Sequence, residues 1–264
     1  MTDISKELKT EILSEQFIPD NVFVYVAKGA IHCYDGNKNY TFKTGEYFIA
    51  RKNRLARYKI EKSEDEFKPT IFCFDEPFVR DFQQKHKTKV AEFESADTFV
   101  KIKPTTLIPN FIRSLKPYYD SSGKLNDEFE DVKFAELLII LLQNQPELAG
   151  IFFDYGIPDK INLEEFMNRN FTFNVSVERF AFLTGRSLSA FKRDFKTVFN
   201  ETPNRWLVQK RLQEAYFLID KKNEKPVDIY FDLGFEDLSH FSFAFKRKFG
   251  HTPTNLSIKK KTFI

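Results

Sequence analysis

Ser187-Leu-Ser-Ala-Phe-Lys-Arg-Asp-Phe-Lys-Thr-Val-Phe-Asn-Glu-Thr-Pro203 returns fifty residues later as Asp237-Leu-Ser-His-Phe-Ser-Phe-Ala-Phe-Lys-Arg-Lys-Phe-Gly-His-Thr-Pro253. With Pro203 set against Pro253, Leu188 pairs with Leu238, Ser189 with Ser239, Phe191 with Phe241 and Phe195 with Phe245. Lys196 then meets Lys246, Phe199 meets Phe249 and Thr202 meets Thr252; upstream, Leu183 meets Leu233 and Val177 meets Val227. A repeat of this size indicates one supersecondary unit built twice. Phenylalanines at i, i+4 and i+8 make each copy a helix with one buried stripe.

Around each copy the punctuation is that of a helix pair. Ser176 caps a helix through Phe182, Thr184-Gly185 turns, and the first repeat helix runs from Leu188 to about Phe199. Asn204 to Asp220 is an amphipathic connector carrying Trp206, which reads as core packing. A short helix over Val227 to Asp232, a turn over Leu233 to Glu236 and the second repeat helix, Leu238 to Phe249, follow. Two short helices joined by a glycine-containing turn form a helix-turn-helix, here present twice.

The outward faces carry the chemistry. Turning Leu188, Phe191 and Phe195 inward leaves Ser189, Ala190, Lys192, Arg193 and Lys196 outside. In the second copy Leu238, Phe241 and Phe245 face in, leaving Ser239, His240, Ser242, Phe243, Lys246 and Arg247. A major groove admits one α-helix, and Arg or Lys can donate to guanine O6 and N7. Ser187 and Asp237 are N-cap residues, and helix N-termini offer free N–H groups to phosphates. Charge agrees: residues 168–264 hold 18 Lys and Arg against 10 Asp and Glu, while the rest of the chain is net acidic. A basic half suits a polyanion such as double-stranded DNA.

Residues 170–257 resemble the DNA-binding domain of the AraC-type transcriptional regulators. The resemblance rests on Ser187-x-Ser-x-Phe-Lys-Arg-x-Phe-Lys, on Arg211-Leu-x-x-Ala215 and on Asp232-Leu-Gly-Phe-Glu-Asp-Leu-Ser-His-Phe-Ser-x-x-Phe-Lys246, followed by Phe249-Gly-His-Thr-Pro253. It implies that both repeat helices enter major grooves, held about one DNA turn apart by the connector. It also implies regulation of transcription, as an activator, with RNA polymerase as a partner. Three positions depart from the pattern. Phe243 stands where a basic residue is usual, and either contacts a thymine methyl or packs. Tyr230 replaces a small residue before the second turn, so the first helix of that unit should sit differently. Asn200 replaces the glycine found at Gly250, a change that a left-handed cap accepts.

The front half reads as β and then α. Asn21–Ala27, Ala30–Tyr34, Tyr40–Phe42, Glu46–Ala50, Arg57–Ile60 and Thr70–Phe74 are strand-like, with turns at Asp35-Gly36 and Lys43-Thr-Gly45. Short, regularly spaced strands indicate a small sandwich or barrel, and the resemblance points to a cupin-like one. Helices are expected over Pro77–Lys87, Leu107–Lys116 and Asn126–Leu142. The last is apolar nearly all round in its second half, so it is either sandwiched against the barrel or covered by another chain. Pro146, Gly150, Gly156 and Pro158 place a boundary near 146–160. The expected architecture is α+β: a cupin-like regulatory or dimerisation domain over 1–150, then an all-α double helix-turn-helix domain over 160–264.

Several functions are excluded or left open. A metal-dependent cupin enzyme needs clustered His and Glu ligands, whereas only His32 and His86 occur in the front half. His32 and Cys33, adjacent on a strand, point to opposite faces. No metal, cofactor or catalytic residue is expected. Cys33 and Cys73 read as small core residues, and two cysteines give no disulfide framework, which suits the cytoplasm. Met1 to Glu7 has no secretory pattern, and the longest apolar run, Leu137–Leu142, is too short to span a bilayer. The barrel could hold a small effector, meet a regulatory protein or make a homodimer. An adaptor that recruits a partner through its front half, and an enzyme with a DNA-targeting tail, are the competing readings. Lys259-Lys-Lys261 reads as a solvated tail.

Overall fold

The structure, a computed structural model, describes residues 16–64, 66–90, 93–120 and 124–261. The reading of Met1 to Glu7 falls outside them, as do the side chains of Lys259 to Lys261. Two compact units are present, residues 1–156 and 157–264.

Among the described residues the first unit has nine short strands: β1 (Phe17–Ile18), β2 (Asn21–Lys28), β3 (Ala30–Tyr34), β4 (Asn39–Lys43), β5 (Tyr47–Ala50), β6 (Arg54–Leu55), β7 (Arg57–Glu61), β8 (Lys68–Phe74) and β9 (Phe99–Lys101). They pair antiparallel in the orders β8-β2-β5-β9 and β4-β3-β7, with β1 on β6. The β3–β4 turn forms where expected: Gly36 takes φ 93°, and the Asp35 carboxylate accepts the N–H groups of Asn37 and Lys38. The sheets share a core in which Val22, Val24, Val26 and Phe48 meet Ile31, Cys33 and Phe42. The Phe42 and Phe48 rings stack at 3.9 Å. The barrel expected from sequence is therefore two open sheets around one core. Strand alternation puts Cys33 inside, where burial pushes its thiol pKa up. His32 points the other way, bonded to Thr41 Oγ1 at 3.0 Å and Glu61 Oε2 at 2.9 Å.

The opposite face of the four-stranded sheet is also covered. Phe23, Tyr47, Ile49, Phe72 and Phe74 share a second core with α1 (Glu76–His86), α2 (Leu107–Ser114), α3 (Asp127–Asn144) and α4 (Ala149–Phe152). Asn126 caps α3 by accepting from Glu128 N–H, and Leu137, Leu138 and Leu141 are fully buried. Those leucines sit against the first unit's own sheet, while Phe129 and Val132 on the opening turns stay exposed.

The second unit is helical: α5 (Leu163–Asn170), α6 (Val177–Leu183), α7 (Leu188–Phe199), α8 (Pro203–Lys222), α9 (Pro226–Ile229), α10 (Leu238–Phe249) and α11 (Pro253–Lys261). Phe191 and Phe195 on α7, and Phe241 and Phe245 on α10, are fully buried. Each buried phenylalanine contributes about 1.5–3 kcal/mol, so the two stripes anchor their helices firmly. Lys259 to Lys261, read as a tail, are the last residues of α11, whose Leu256 is buried against the second repeat. No helix among the described residues is long and apolar enough to cross a membrane.

Candidate nucleic-acid interface

Local chemistry fixes where both exposed helices start and stop. The Ser187 side chain accepts from Ala190 N–H at 3.3 Å, and that of Asp237 accepts from His240 N–H at 2.6 Å. Asn200 and Gly250 end the helices in the left-handed region, with φ 54° and 79°. Both caps donate their backbone N–H back into the helix, to Lys196 O and Lys246 O. Asparagine thus does at the end of α7 what glycine does at the end of α10.

The two turns are unequal. Gly185 sits two residues before the Ser187 cap, while Gly234 sits three before Asp237. Upstream of the turn the true offset is therefore 49, not 50. Val177 and Pro226 are the opening helical residues after Ser176 and Lys225, and Thr184 N–H to Phe180 O matches Leu233 N–H to Ile229 O. The pairings of Leu183 with Leu233 and Val177 with Val227 are thereby corrected. The additional residue lets Phe235 enter the core, 5.0 Å from the Phe241 ring. Phe235 is 3% exposed, whereas Leu238, expected inward, is 37% exposed. The first helix of the second unit is also shorter, four residues against seven.

In the first turn Arg186 occupies this place. Its side chain, largely buried, donates to Thr184 O at 2.7 Å, Ile161 O at 3.0 Å and Asp194 Oδ2 at 3.2 Å. That bond from Arg186, with Lys160 and Arg193 nearby, holds the Asp194 carboxyl below the usual aspartate range. Asp194 Oδ1 accepts from Arg193 Nη2 at 3.3 Å, a contact to one end of an otherwise exposed guanidinium. Gly185, with φ 65°, leaves no room for a side chain: a Cβ would lie 2.5 Å from the Asp159 carbonyl.

The connector α8 holds the units together. Trp206 packs edge-on against Phe195 at 5.6 Å and meets Phe199 at 4.5 Å. Ten residues on, Tyr216 stacks with Phe245 at 6.2 Å and meets Phe249 at 4.8 Å. One aromatic thus underlies each repeat helix. Between them Arg211, 8% exposed, donates to Phe171 O and Phe173 O at 2.7 Å and to Gly234 O at 2.9 Å. Gly234 is required there, since a Cβ would approach Arg211 Cζ at 2.8 Å and Thr172 O at 2.6 Å.

The outward faces then follow. On α7, Ser189, Lys192, Arg193 and Lys196 are exposed and Ala190 is half-buried. On α10, Ser239, His240, Phe243, Lys246 and Arg247 are exposed. Ser242 is half-buried, because it lies on the flank beside Phe241 rather than on the crown of the face. Phe243 does not pack inward: it is 69% exposed. Lys248 is half-buried, bonded to Gln209 O at 2.8 Å, and burial lowers its pKa. Sequence reasoning missed the Arg186–Asp194 pair; an acid eight residues after the turn arginine, both beside the basic face, was the available signal. Among the described residues no group of three or more His, Cys, Asp or Glu could hold a metal.

Two capped helices with basic outer faces, seated on one connector, define a double helix-turn-helix protein. Residues 180–257 match the family described as a helix-turn-helix domain, and residues 21–151 the one described as an ExsA N-terminal regulatory domain. The virulence regulon transcriptional activator VirF of Yersinia enterocolitica is 32% identical over 98 residues, 37% of this chain and 36% of that protein. The match thus spans about a third of that relative's length. The HTH-type transcriptional regulator ExsA of Pseudomonas aeruginosa is 22% identical over 88% of this chain and 84% of its own. Among solved structures, an apo ToxT variant from Vibrio cholerae aligns over 92% of this chain and 90% of that one, with 14% identity and a TM-score of 0.44. The two family matches, over residues 21–151 and 180–257, liken this chain to transcriptional regulators that carry a helix-turn-helix domain.

Proposed function

We propose that this protein binds double-stranded promoter DNA by setting α7 and α10 into successive major grooves, and activates transcription from there. The observation that carries the reading is the pair of capped helices whose buried stripes leave Lys192, Arg193, Lys196, Lys246 and Arg247 exposed. Ser189, Ala190 and Ser239, with His240, Ser242 and Phe243, complete the contact set. Residues 1–150 supply regulatory input and 160–264 the DNA contacts. The name of the family matched by residues 21–151 supports that division. A small-molecule or protein effector at the first unit, homodimer formation, contact with RNA polymerase and a cytoplasmic location belong to the same proposal.

The test is a salt series with the full-length chain and DNA sequences it selects from a randomised pool. Five basic side chains on two helices should give several phosphate contacts, and each contributes about −0.9 to the slope of log K against log salt. A slope of about −3 or steeper, together with selection of a defined sequence, is expected. A stable complex with another protein, with no salt-dependent DNA binding, would instead establish the adaptor reading.

A further inference from the structure

Phe243 is the one large apolar side chain in the contact set of the two outer faces. The other phenylalanines of α10, Phe241, Phe245 and Phe249, pack into the second repeat, whereas Phe243 is 69% exposed. It stands at the crown of the face, one turn from Ser239 on one side and from Lys246 and Arg247 on the other. Its counterpart on α7 is Arg193, whose side chain is 75% exposed and whose guanidinium Nη2 lies 3.3 Å from Asp194 Oδ1. One repeat therefore presents a guanidinium where the other presents an apolar plate, on helices with matching caps and matching buried stripes.

The floor of a major groove offers hydrogen-bonding groups at every base pair but only one apolar group, the C5 methyl of thymine. A guanidinium at this place suits guanine O6 and N7; a phenyl ring suits that methyl. Phosphates do not account for the ring, since Lys246 and Arg247 already provide the cationic flank and an apolar ring gains nothing from an ionic ribbon. Resting on the DNA-binding reading above, we infer that Phe243 is a specificity-determining residue that makes α10 a reader of thymine. The bound site then carries thymine in the half facing α10 and guanine in the half facing α7.

The experiment uses the full-length protein and a duplex selected by it from a randomised pool. Arg193→Ala identifies the half facing α7, because sequence preference relaxes there. In the other half each thymine is replaced singly by deoxyuridine, which removes only the methyl. One or two such replacements should weaken wild-type binding about fourfold, the worth of one buried methyl-sized group. The same replacements should leave Phe243→Ala unaffected, while Phe243→Leu, still apolar, keeps part of the sensitivity. Because Phe243 is exposed, these variants leave the core intact. Uracil replacements that weaken nothing, or that weaken Phe243→Ala as much as wild type, overturn the inference while the DNA-binding reading stands. Wild-type affinity of Phe243→Ala for every duplex, with loss of transcription only, overturns it in favour of a protein contact. Failure of the wild-type chain to select any DNA overturns both.

Discussion

Replacing Arg211 by methionine keeps most of the stem volume and removes the guanidinium that joins the connector to both flanking segments. Three carbonyls lose the guanidinium as donor, those of Phe173 and Gly234 in buried bonds and that of Phe171 in a part-buried one. Hydrogen bonds to a charged group are worth about 1.5–3 kcal/mol each, which puts the gross loss at roughly 5–9 kcal/mol. Against this, the folded state no longer dehydrates a guanidinium, a penalty of several kcal/mol. The balance is a net destabilisation of about 3–4 kcal/mol, a large share of a typical domain's 5–15 kcal/mol. Trp206 is the single tryptophan and sits in the second unit against Phe195 and Phe199, so its fluorescence reports on that unit. With urea slopes of about 1–3 kcal/mol/M, the midpoint should fall by roughly 1–4 M. Arg211→Lys retains a charge but not the planar fork, and should recover only part of that loss. A methionine variant whose midpoint lies within about 0.3 M of wild type at an unchanged slope would refute the clamp.

The other predictions use the same probe or the DNA assay. Gly185→Ala should cost about 3 kcal/mol or more, since left-handed strain adds to a backbone clash, whereas Gly250→Ala, left-handed but facing open space, should cost only about 1–2 kcal/mol; equal urea midpoints for the two variants would contradict this. Asp194 has a depressed folded pKa, so its contribution is complete above the ordinary aspartate range and vanishes as pH falls through the lower folded value. Asp194→Asn should therefore lower the urea midpoint at pH 7 and flatten its decline below about pH 4; parallel wild-type and variant curves would exclude the linkage. Arg193→Ala should weaken binding to the preferred duplex by about 1–3 kcal/mol and relax preference at one position, so an unchanged gel-shift titration with unchanged preference removes Arg193 from base reading.

The two repeat helices were readable to the residue because their signals are local: a Ser or Asp cap, a phenylalanine every fourth position, and an Asn or Gly that closes the last turn. The turns were not. Leucines at 183 and 233 imitate a constant offset, and only the hydrogen bonds show that Thr184 and Leu233 occupy equivalent places. Leu238 read as inward because its apolarity was weighed without Phe235, which arrives through the longer turn. Helix α11 was legible and overlooked: Thr252-Pro253 repeats the Thr202-Pro203 that opens the connector. In the front half the longer strands followed from alternation and turn residues. Strands β1, β6 and β9 have two or three residues each and exist through pairing with distant partners, which no local pattern encodes. Open sheets rather than a closed ring likewise reflect long-range pairing.

The ten-residue step along α8 from Trp206 to Tyr216 has a consequence for how this protein can change over generations. It advances about 15 Å along the helix, and each additional residue would add about 1.5 Å and turn everything beyond it by about 100°. If α7 and α10 enter successive grooves as proposed, point substitutions on the outer faces alter which bases are preferred and leave the frame alone. A single codon gained or lost inside the connector would swing α10 out of phase with α7, with no one-codon change elsewhere able to restore it. On the proposed reading, target sequence can therefore drift one base at a time, while the distance between half-sites is inherited as a fixed count, and promoters bound in this way must keep that spacing or be lost to it.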